Sequence, residues 1–300
     1  MRIVVYDGNS IASRFRHAQK YLTTSDGRRS GVVYGFLQNL AFIKRRLCIQ
    51  ASQIYVVWDG GRSAFRKRIL PGYKCRPDPD DANEHREYVS QTEALYRNLN
   101  NFGIRGQIRV SGVEADDLVS ALTRTSHAAG HVPVVYTSDR DLHQLADVAL
   151  IFDPVKEVMA KEDVIAFHQV QEISQIPLLK SMCGDDSDKI PGITQIGPKR
   201  AVRALPHVSN FFGVLSRPDP EPTDEGTAKI VQKVKGSQEI VRRNLELITL
   251  PKDFESVRDL HAGGLEEITS ALAHRPEIDH EEIYKFLNHW ECHSLDVSSF

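Results

Sequence analysis

Three short apolar runs in this chain end at aspartates, and this restricts the fold more than any other feature. Asp7 closes Arg2-Ile-Val-Val-Tyr-Asp7, and Asp59 closes Ile54-Tyr-Val-Val-Trp-Asp59. Asp139 and Asp141 follow Val132-Pro-Val-Val-Tyr-Thr-Ser138. Such runs read as strands. In an open parallel sheet the C-terminal strand ends share one edge, where ligands bind. Acids far apart in sequence should therefore converge. Glu114-Ala-Asp-Asp117 and Gly184-Asp-Asp-Ser-Asp188 supply more. So many carboxylates cannot stay ionised together without cations. Hard ions such as Mg²⁺ or Mn²⁺ take oxygen ligands. A carboxylate-lined pair of them, about 3.5–4 Å apart, is the usual machinery for phosphodiester hydrolysis.

The chain has 300 residues, enough for one large domain or two smaller ones, and at 41% hydrophobic it has the apolar residues to bury a core. No apolar run approaches about 18 residues, so no membrane span or membrane partner is expected. The N-terminus reads directly into a strand, so no signal peptide is expected. Cys48, Cys75, Cys183 and Cys292 are widely separated and form no Cys-x-x-Cys. A reducing cytoplasm is the expected location. The formal charge of −2 hides local polarity. Between Gly60 and Pro77, Arg62, Arg66, Lys67, Arg68, Lys74 and Arg76 stand without an acid. Basic patches for phosphates beside an acidic site for metal suit a nuclease. Solvated helix faces are the alternative for any single patch.

Strands are predicted near 2–7, 54–59, 107–110, 132–137 and 149–153, with helical patterns between them, as over 31–47 and 116–125. This alternation predicts an α/β fold with a mostly parallel central sheet. Residues 60–90 break the rhythm and read as a functional excursion. Beyond about residue 160 the strand signals fade into helices and loops. The boundaries are expected at 1–175 for an α/β core that includes the excursion, and 176–300 for a helical region.

The motifs Asp7-Gly8, Val57-Trp-Asp-Gly60, Glu114-Ala-Asp-Asp117, Thr137-Ser-Asp-Arg-Asp141 and Gly184-Asp-Asp-Ser-Asp-Lys-Ile-Pro-Gly192 occur in this order. Gly192-Ile-Thr-Gln-Ile-Gly-Pro-Lys-Arg-Ala201 follows at once. Taken together they resemble the structure-specific 5′-nuclease family. That family comprises flap endonucleases, phage 5′→3′ exonucleases and the 5′-nuclease domain of bacterial DNA polymerase I. The resemblance covers nearly the whole chain and implies a PIN/5′-nuclease-like fold. It implies two Mg²⁺ per site, with Mn²⁺ as a substitute. Asp7, Asp59, Glu114 and Asp116 look like the set around the first ion. Asp139, Asp141, Asp185 and Asp188 look like the set around the second, with Asp117 beside both. Capping of the following helices is the alternative for Asp117 or Asp186 individually.

The excursion after Asp59 resembles the family's helical arch, with Arg66, Lys67, Tyr73, Lys74 and Arg76 at its basic entry. By that match Lys74 and Arg76 grip the scissile phosphate, one as a point charge and the other as a fork. Tyr73 either stacks on a base of a threaded strand or is a packing aromatic. Residues 192–201 look like a helix–turn–helix element that grips duplex DNA. Gly192, Ile193, Ile196, Gly197, Lys199 and Arg200 are its expected DNA-binding residues, with Lys199 and Arg200 supplying charge. Gly192 and Gly197 permit tight turns and close backbone approach. Family hairpins of this kind often hold K⁺ on their carbonyls. Gly35 and Phe36 resemble the element beneath the unpaired junction. Lys189 departs from the family's Asn, and is placed to pair with Asp185 or a phosphate.

The chain therefore reads as a Mg²⁺-dependent 5′→3′ exonuclease and 5′-flap endonuclease acting on DNA in replication or repair. Its substrates would be DNA with 5′ ends, flaps or RNA primers, and a DNA polymerase would be its partner. The frame from Met1 to Phe300 leaves no room for a polymerase domain and favours a stand-alone enzyme, with a phage source and host-cytoplasm location fitting. The alternatives are a PIN-type ribonuclease, which lacks the arch and the Gly-Ile-x-x-Ile-Gly-Pro-Lys element, and a junction-binding protein without catalysis.

Overall fold

The computed structural model describes residues 1–75, 82–155, 157–261 and 265–300. Its centre is a six-stranded sheet in the order β3-β2-β1-β4-β5-β6. The strands are β1 (Arg2–Asp7), β2 (Ile54–Val57), β3 (Gly106–Ile108), β4 (Val132–Tyr136), β5 (Leu150–Asp153) and β6 (Glu157–Met159). All neighbours pair in parallel except β5 and β6, which run antiparallel. The predicted strands are present with ends shifted by a few residues. The edge strand β6 carries no apolar signal in the sequence, because it is three residues long and two of them are exposed.

Both faces of the sheet are covered, which explains the unbroken apolar runs. Alternate residues face opposite sides. Ile3, Val5, Val57 and Val135 point into one core, and Val4, Tyr6, Val56 and Tyr136 into the other. Helix α1 (Gly8–Ala18), α2 (Gly31–Leu47), α4 (Ala82–Asn98) and α13 (His280–His289) contribute to the second core. Helix α5 (Ala115–Ala128) lies on the first. So do α6 (Lys161–His168), α7 (Ile176–Cys183), α8 (Pro198–Ala204), α9 (Glu225–Gly236), α10 (Gln238–Ile248), α11 (Phe254–His261) and α12 (Leu265–Ala273). This first core runs without a break across the boundary expected at 175/176, joining Val135 to Leu178, Val231 and Val241. Among the described residues no helix is long and apolar enough to cross a membrane.

The chain leaves β1 for β2 and β3 on one side, and later builds β4, β5 and β6 on the other. The crevice beyond the ends of β1 and β4 is thus the point where strand order reverses, the usual ligand site of such sheets. Helix α3 (Ala64–Ile69) follows β2 and opens the excursion. Arg76 lies outside the described residues. A two-stranded hairpin, β7 (Gly184–Asp185) with β8 (Ile190–Pro191), leads into residues 192–197 and α8.

Candidate active site

The ends of β1, β2 and β4 open into a cleft of about 1470 Å³. Asp7, Asp59, Asp116, Asp139, Asp141, Asp185 and Asp188 line it, together with Lys74, Lys180 and Lys199. The sheet edge thus brings together acids from five segments of the chain, as the strand-end argument requires. Glu114 lies buried just beneath.

Local hydrogen bonds fix the acids. Asp7 caps α1 by accepting from the Ser10 N–H, and its other oxygen accepts from Thr137 Oγ1 at 2.6 Å. Thr137 Oγ1 in turn accepts from the Asp139 N–H, and Asp139 Oδ1 from the Asp141 N–H. Asp59 Oδ1 accepts from the Ala115 N–H at 2.8 Å, which ties the end of β2 to the start of α5. Gly60 allows this approach: a Cβ there would lie 1.6 Å from the Val110 carbonyl oxygen. Asp185 Oδ1 holds its own turn through the Ser187 and Asp188 N–H groups.

Two lysines enter the acid cluster. Lys74 Nζ lies 2.7 Å from Glu114 Oε2 and 3.7 Å from Asp188 Oδ2. Lys180, on α7, contacts Asp141 and lies 3.0 Å from Asp185 Oδ2. No motif marks Lys180, whose only sequence signal is its place one turn before Gly184-Asp185 on a short helix. Lys189 is not the partner of Asp185. It is exposed, with φ 60.

The carboxylates differ in charge. Burial lifts Asp7 to about 7, reinforced by Asp139 and opposed by Thr137. Burial also raises Asp116 well above the usual range, with Asp139 and Asp7 adding repulsion. Asp139 and Asp188 are raised by burial too, against the pull of nearby lysines. In Asp185 burial is overcome by Ser187 and Lys180, leaving it at about 2. Glu114 is likewise lowered by Lys74 and Arg66 against burial. Burial pulls the Lys74 pKa down, but Glu114 and its neighbours outweigh it and hold the ammonium above its ordinary value. Among the described residues no three acids close around a single point by themselves, and the two lysines stand among them. The donors are all carboxylate oxygens, and Asp7, Asp116 and Asp139 repel one another without a lysine or arginine bonded to any of them. That donor chemistry fits hard divalent cations.

Several expectations need correction. Asp117 does not face the cleft. It is fully buried, and both its oxygens are taken by Arg66, at 2.7 and 2.6 Å. His261 Nε2 lies 2.9 Å from Asp117 Oδ2. These partners overcome burial and hold Asp117 at about 2. Arg66 is correspondingly not a surface contact for DNA: it is 4% exposed. Tyr73 offers no stacking face. It is 2% exposed, and its hydroxyl donates to Glu114 Oε2 at 2.9 Å, with Asp188 at 3.2 Å. Phe36 is core, stacked 5.4 Å from Trp58, and Gly35 packs against Phe15. Lys67 is exposed.

In the turn expected to bind duplex DNA, Gly192 is required by crowding, since a Cβ would lie 2.1 Å from the Cys183 carbonyl oxygen. Gly197 has no such neighbour and caps α8 with φ −89. Ile193 and Ile196 are buried. Lys199 and Arg200 are exposed, and Arg200 Nη1 donates to the Gln195 carbonyl at 2.8 Å. The Ile193 carbonyl accepts from the Ile196 N–H. Two carbonyls of the turn expected to hold K⁺ are therefore already engaged.

The sequence model of the 5′-3′ exonuclease N-terminal resolvase-like domain matches residues 2–172. The chain belongs to the 5′-3′ exonuclease family. The model of the family's C-terminal SAM fold follows over residues 171–271. The chain is 28% identical over 300 residues to the thermostable DNA polymerase I of Thermus thermophilus, covering 98% of this chain and 32% of that protein. It thus spans about a third of the length of the curated polymerases it matches. Among solved structures, it resembles bacteriophage T5 5′-exonuclease with bound zinc at TM-score 0.66 and 20% identity, covering 97% of this chain and 98% of that one. It also resembles the bacteriophage T5 flap endonuclease in a pseudo-enzyme-product complex with DNA and metal ions. There the TM-score is 0.63 at 21% identity, over 98% of this chain and 100% of that one. At these identities both likenesses concern the exonuclease fold.

Proposed function

We propose that this chain is a divalent-metal-dependent 5′→3′ exonuclease and 5′-flap endonuclease that hydrolyses DNA phosphodiester bonds. The observation that carries this reading is the cleft itself. Carboxylates from five segments share it with Lys74 and Lys180, and Lys199 lies on its wall. Acids to hold cations and lysines to meet phosphate in one open cleft suit a polyanionic substrate.

Asp7, Asp59, Glu114 and Asp116 would hold one Mg²⁺ or Mn²⁺, and Asp139, Asp141, Asp185 and Asp188 a second. When bound, such a pair activates a water and stabilises the leaving 3′ oxygen. Lys74 would turn from Glu114 to the scissile phosphate and offset its developing charge. Lys180 would hold Asp141 and Asp185 in place until cations compete for them. Tyr73, fixed between Glu114 and Asp188, would keep the base of the excursion closed over the site. Lys199 and Arg200 would meet phosphates of the duplex, a contact without base information. The relatives' fused polymerases support a role in replication or repair, with a DNA polymerase as partner and RNA primers or flaps as substrates.

The test is a labelled 5′-flap DNA offered with rising Mg²⁺ beside a single-stranded RNA of the same sequence. Cleavage of the flap near the duplex junction, with the RNA spared, is expected. Preferential RNA cleavage would favour a PIN-type ribonuclease, and tight flap binding without products in Mg²⁺ or Mn²⁺ would leave a junction-binding protein.

A further inference from the structure

Buried polar side chains from the active-site segments converge on one stretch outside the site, Asn244–Pro251, the end of α10 and the turn after it. From the excursion, Arg66 Nε donates to the Leu247 carbonyl at 2.9 Å. From the turn beginning at Asp141, Gln144 Nε2 donates to the Ile248 carbonyl at 3.0 Å, and Gln144 Oε1 accepts from the Leu250 N–H. From α5, which starts at Glu114-Ala115-Asp116, Ser120 Oγ donates to the Pro251 carbonyl at 2.7 Å.

Asn244 completes the set from within α10. Its Nδ2 donates to the Ser181 carbonyl, one residue beyond Lys180, and to the Pro191 carbonyl, both at 2.9 Å. Pro191 ends the hairpin that carries Asp185 and Asp188, and Gly192 begins the duplex-binding turn. Arg243 Nη2 donates to Asn244 Oδ1 at 2.9 Å and so fixes which way the amide points. Asn244 and Ser120 are fully buried, and Arg66 and Gln144 nearly so.

Buried polar groups specify position more sharply than apolar packing, because a shifted partner leaves a donor or acceptor unpaired. Arg66, Gln144 and Ser120 belong to the N-terminal family module, and the segment they meet belongs to the C-terminal one. No acid of the cleft lies in this stretch, so its bonds do not act on a cation or a phosphate.

We infer that Asn244–Pro251 is the jig that sets the acid cluster against the duplex-binding turn, and that Asn244 is the positioning residue deciding which phosphodiester is cut. This rests on the hydrolytic reading above. A duplex held by residues 192–200 presents a phosphate to the acids at a distance fixed by the Asn244 amide. Loosening that amide frees the hairpin and the turn to slide relative to Asp139 and Asp141. Neighbouring phosphates then reach the site.

The test is product mapping at single-nucleotide resolution on a 5′-flap DNA in Mg²⁺, with wild type, Asn244→Leu and Ser120→Ala. Asn244→Leu keeps the branched outline of the side chain, though its methyls are bulkier, and removes both donated bonds. Ser120→Ala removes one peripheral hydroxyl and guards against a variant that does not fold. Wild type is expected to give one dominant product. In Asn244→Leu the rate at that phosphate should fall by about 10²-fold, the scale of a small misplacement, while cuts at adjacent phosphates appear. Ser120→Ala should give a weaker spread in the same direction. Variants that melt earlier or turn over more slowly, yet cut only at the wild-type position, would overturn the inference and leave the hydrolytic reading intact. A wild type that cuts no DNA in Mg²⁺ or Mn²⁺ would remove both.

Discussion

Lys74 Nζ sits 2.7 Å from Glu114 Oε2, at the point where the excursion returns to the acid cluster. The contact is made from a strained backbone: Lys74 has φ 47, and its N–H donates to the Asp188 carbonyl at 2.9 Å. A non-glycine residue there costs on the order of 1 kcal/mol. Lys74 is thus held with its ammonium aimed into the cleft before any substrate arrives.

Lys74→Ala should lower the single-turnover rate on flap DNA by about 10²-fold or more, as for loss of a transition-state donor. Affinity should change far less. Rapid-quench rates beside equilibrium binding in Ca²⁺ separate the two. A loss confined to affinity would make Lys74 a steering residue.

Arg66 and Asp117 form a buried pair, so their variants should report on stability. Arg66→Ala leaves Asp117 charged and buried, and should cost about 3–5 kcal/mol. Replacing both, with Arg66→Met and Asp117→Leu, should cost less than Arg66→Ala alone, although His261 and the Leu247 carbonyl lose a partner. Urea unfolding of the three proteins decides this. A double variant at least as unstable as Arg66→Ala would show that the pair holds the fold through more than mutual neutralisation.

The sheet and its acid edge were legible because the sheet's rules are local. Val4-Val5 and Val134-Val135 are each buried on opposite faces, so they had to be apolar, and acids placed just after them land on the sheet edge. Strand β6 was illegible because two of its three residues are exposed and a partner strand, not hydrophobicity, defines it. The fates of Arg66, Tyr73 and Asp117 were illegible for another reason. A basic residue beside other basic residues reads as surface, and only the fold brings Asp117 to Arg66 across 51 positions. Lys180 and Asn244 carry no motif, and their roles exist only as distances.

Asp7 implies a pH dependence with a definite sign. Its folded value is raised to about 7, against an unfolded value near the ordinary carboxylate. The folded state therefore holds this proton more tightly than the unfolded chain. The associated stability is full below about pH 4 and is lost as pH rises through about 7. In EDTA the protein should melt at a higher temperature at pH 5 than at pH 8. Asp7→Asn should flatten that difference, and Mg²⁺ should reduce it by stabilising the ionised cluster. Melts that rise with pH in EDTA would contradict the assignment.

Lys199 tests the duplex grip. It is exposed on the cleft wall, and a lost phosphate contact lowers the slope of log K against log salt by about one unit. Lys199→Ala should show that loss on a flap with a long downstream duplex and none on a free single strand. Equal losses on both would place Lys199 on the single-strand path instead.

The most direct test of the acid cluster is Asp116→Asn assayed for cleavage and binding on the same 5′-flap DNA. Asp116 sits among Asp7, Asp59 and Asp139, with its carboxyl pushed up by burial and by them. If these acids hold the cations that drive hydrolysis, the variant should bind the flap as tightly as wild type or tighter, and give no product in saturating Mg²⁺. Wild-type turnover by Asp116→Asn in saturating Mg²⁺ would contradict the role of the cluster.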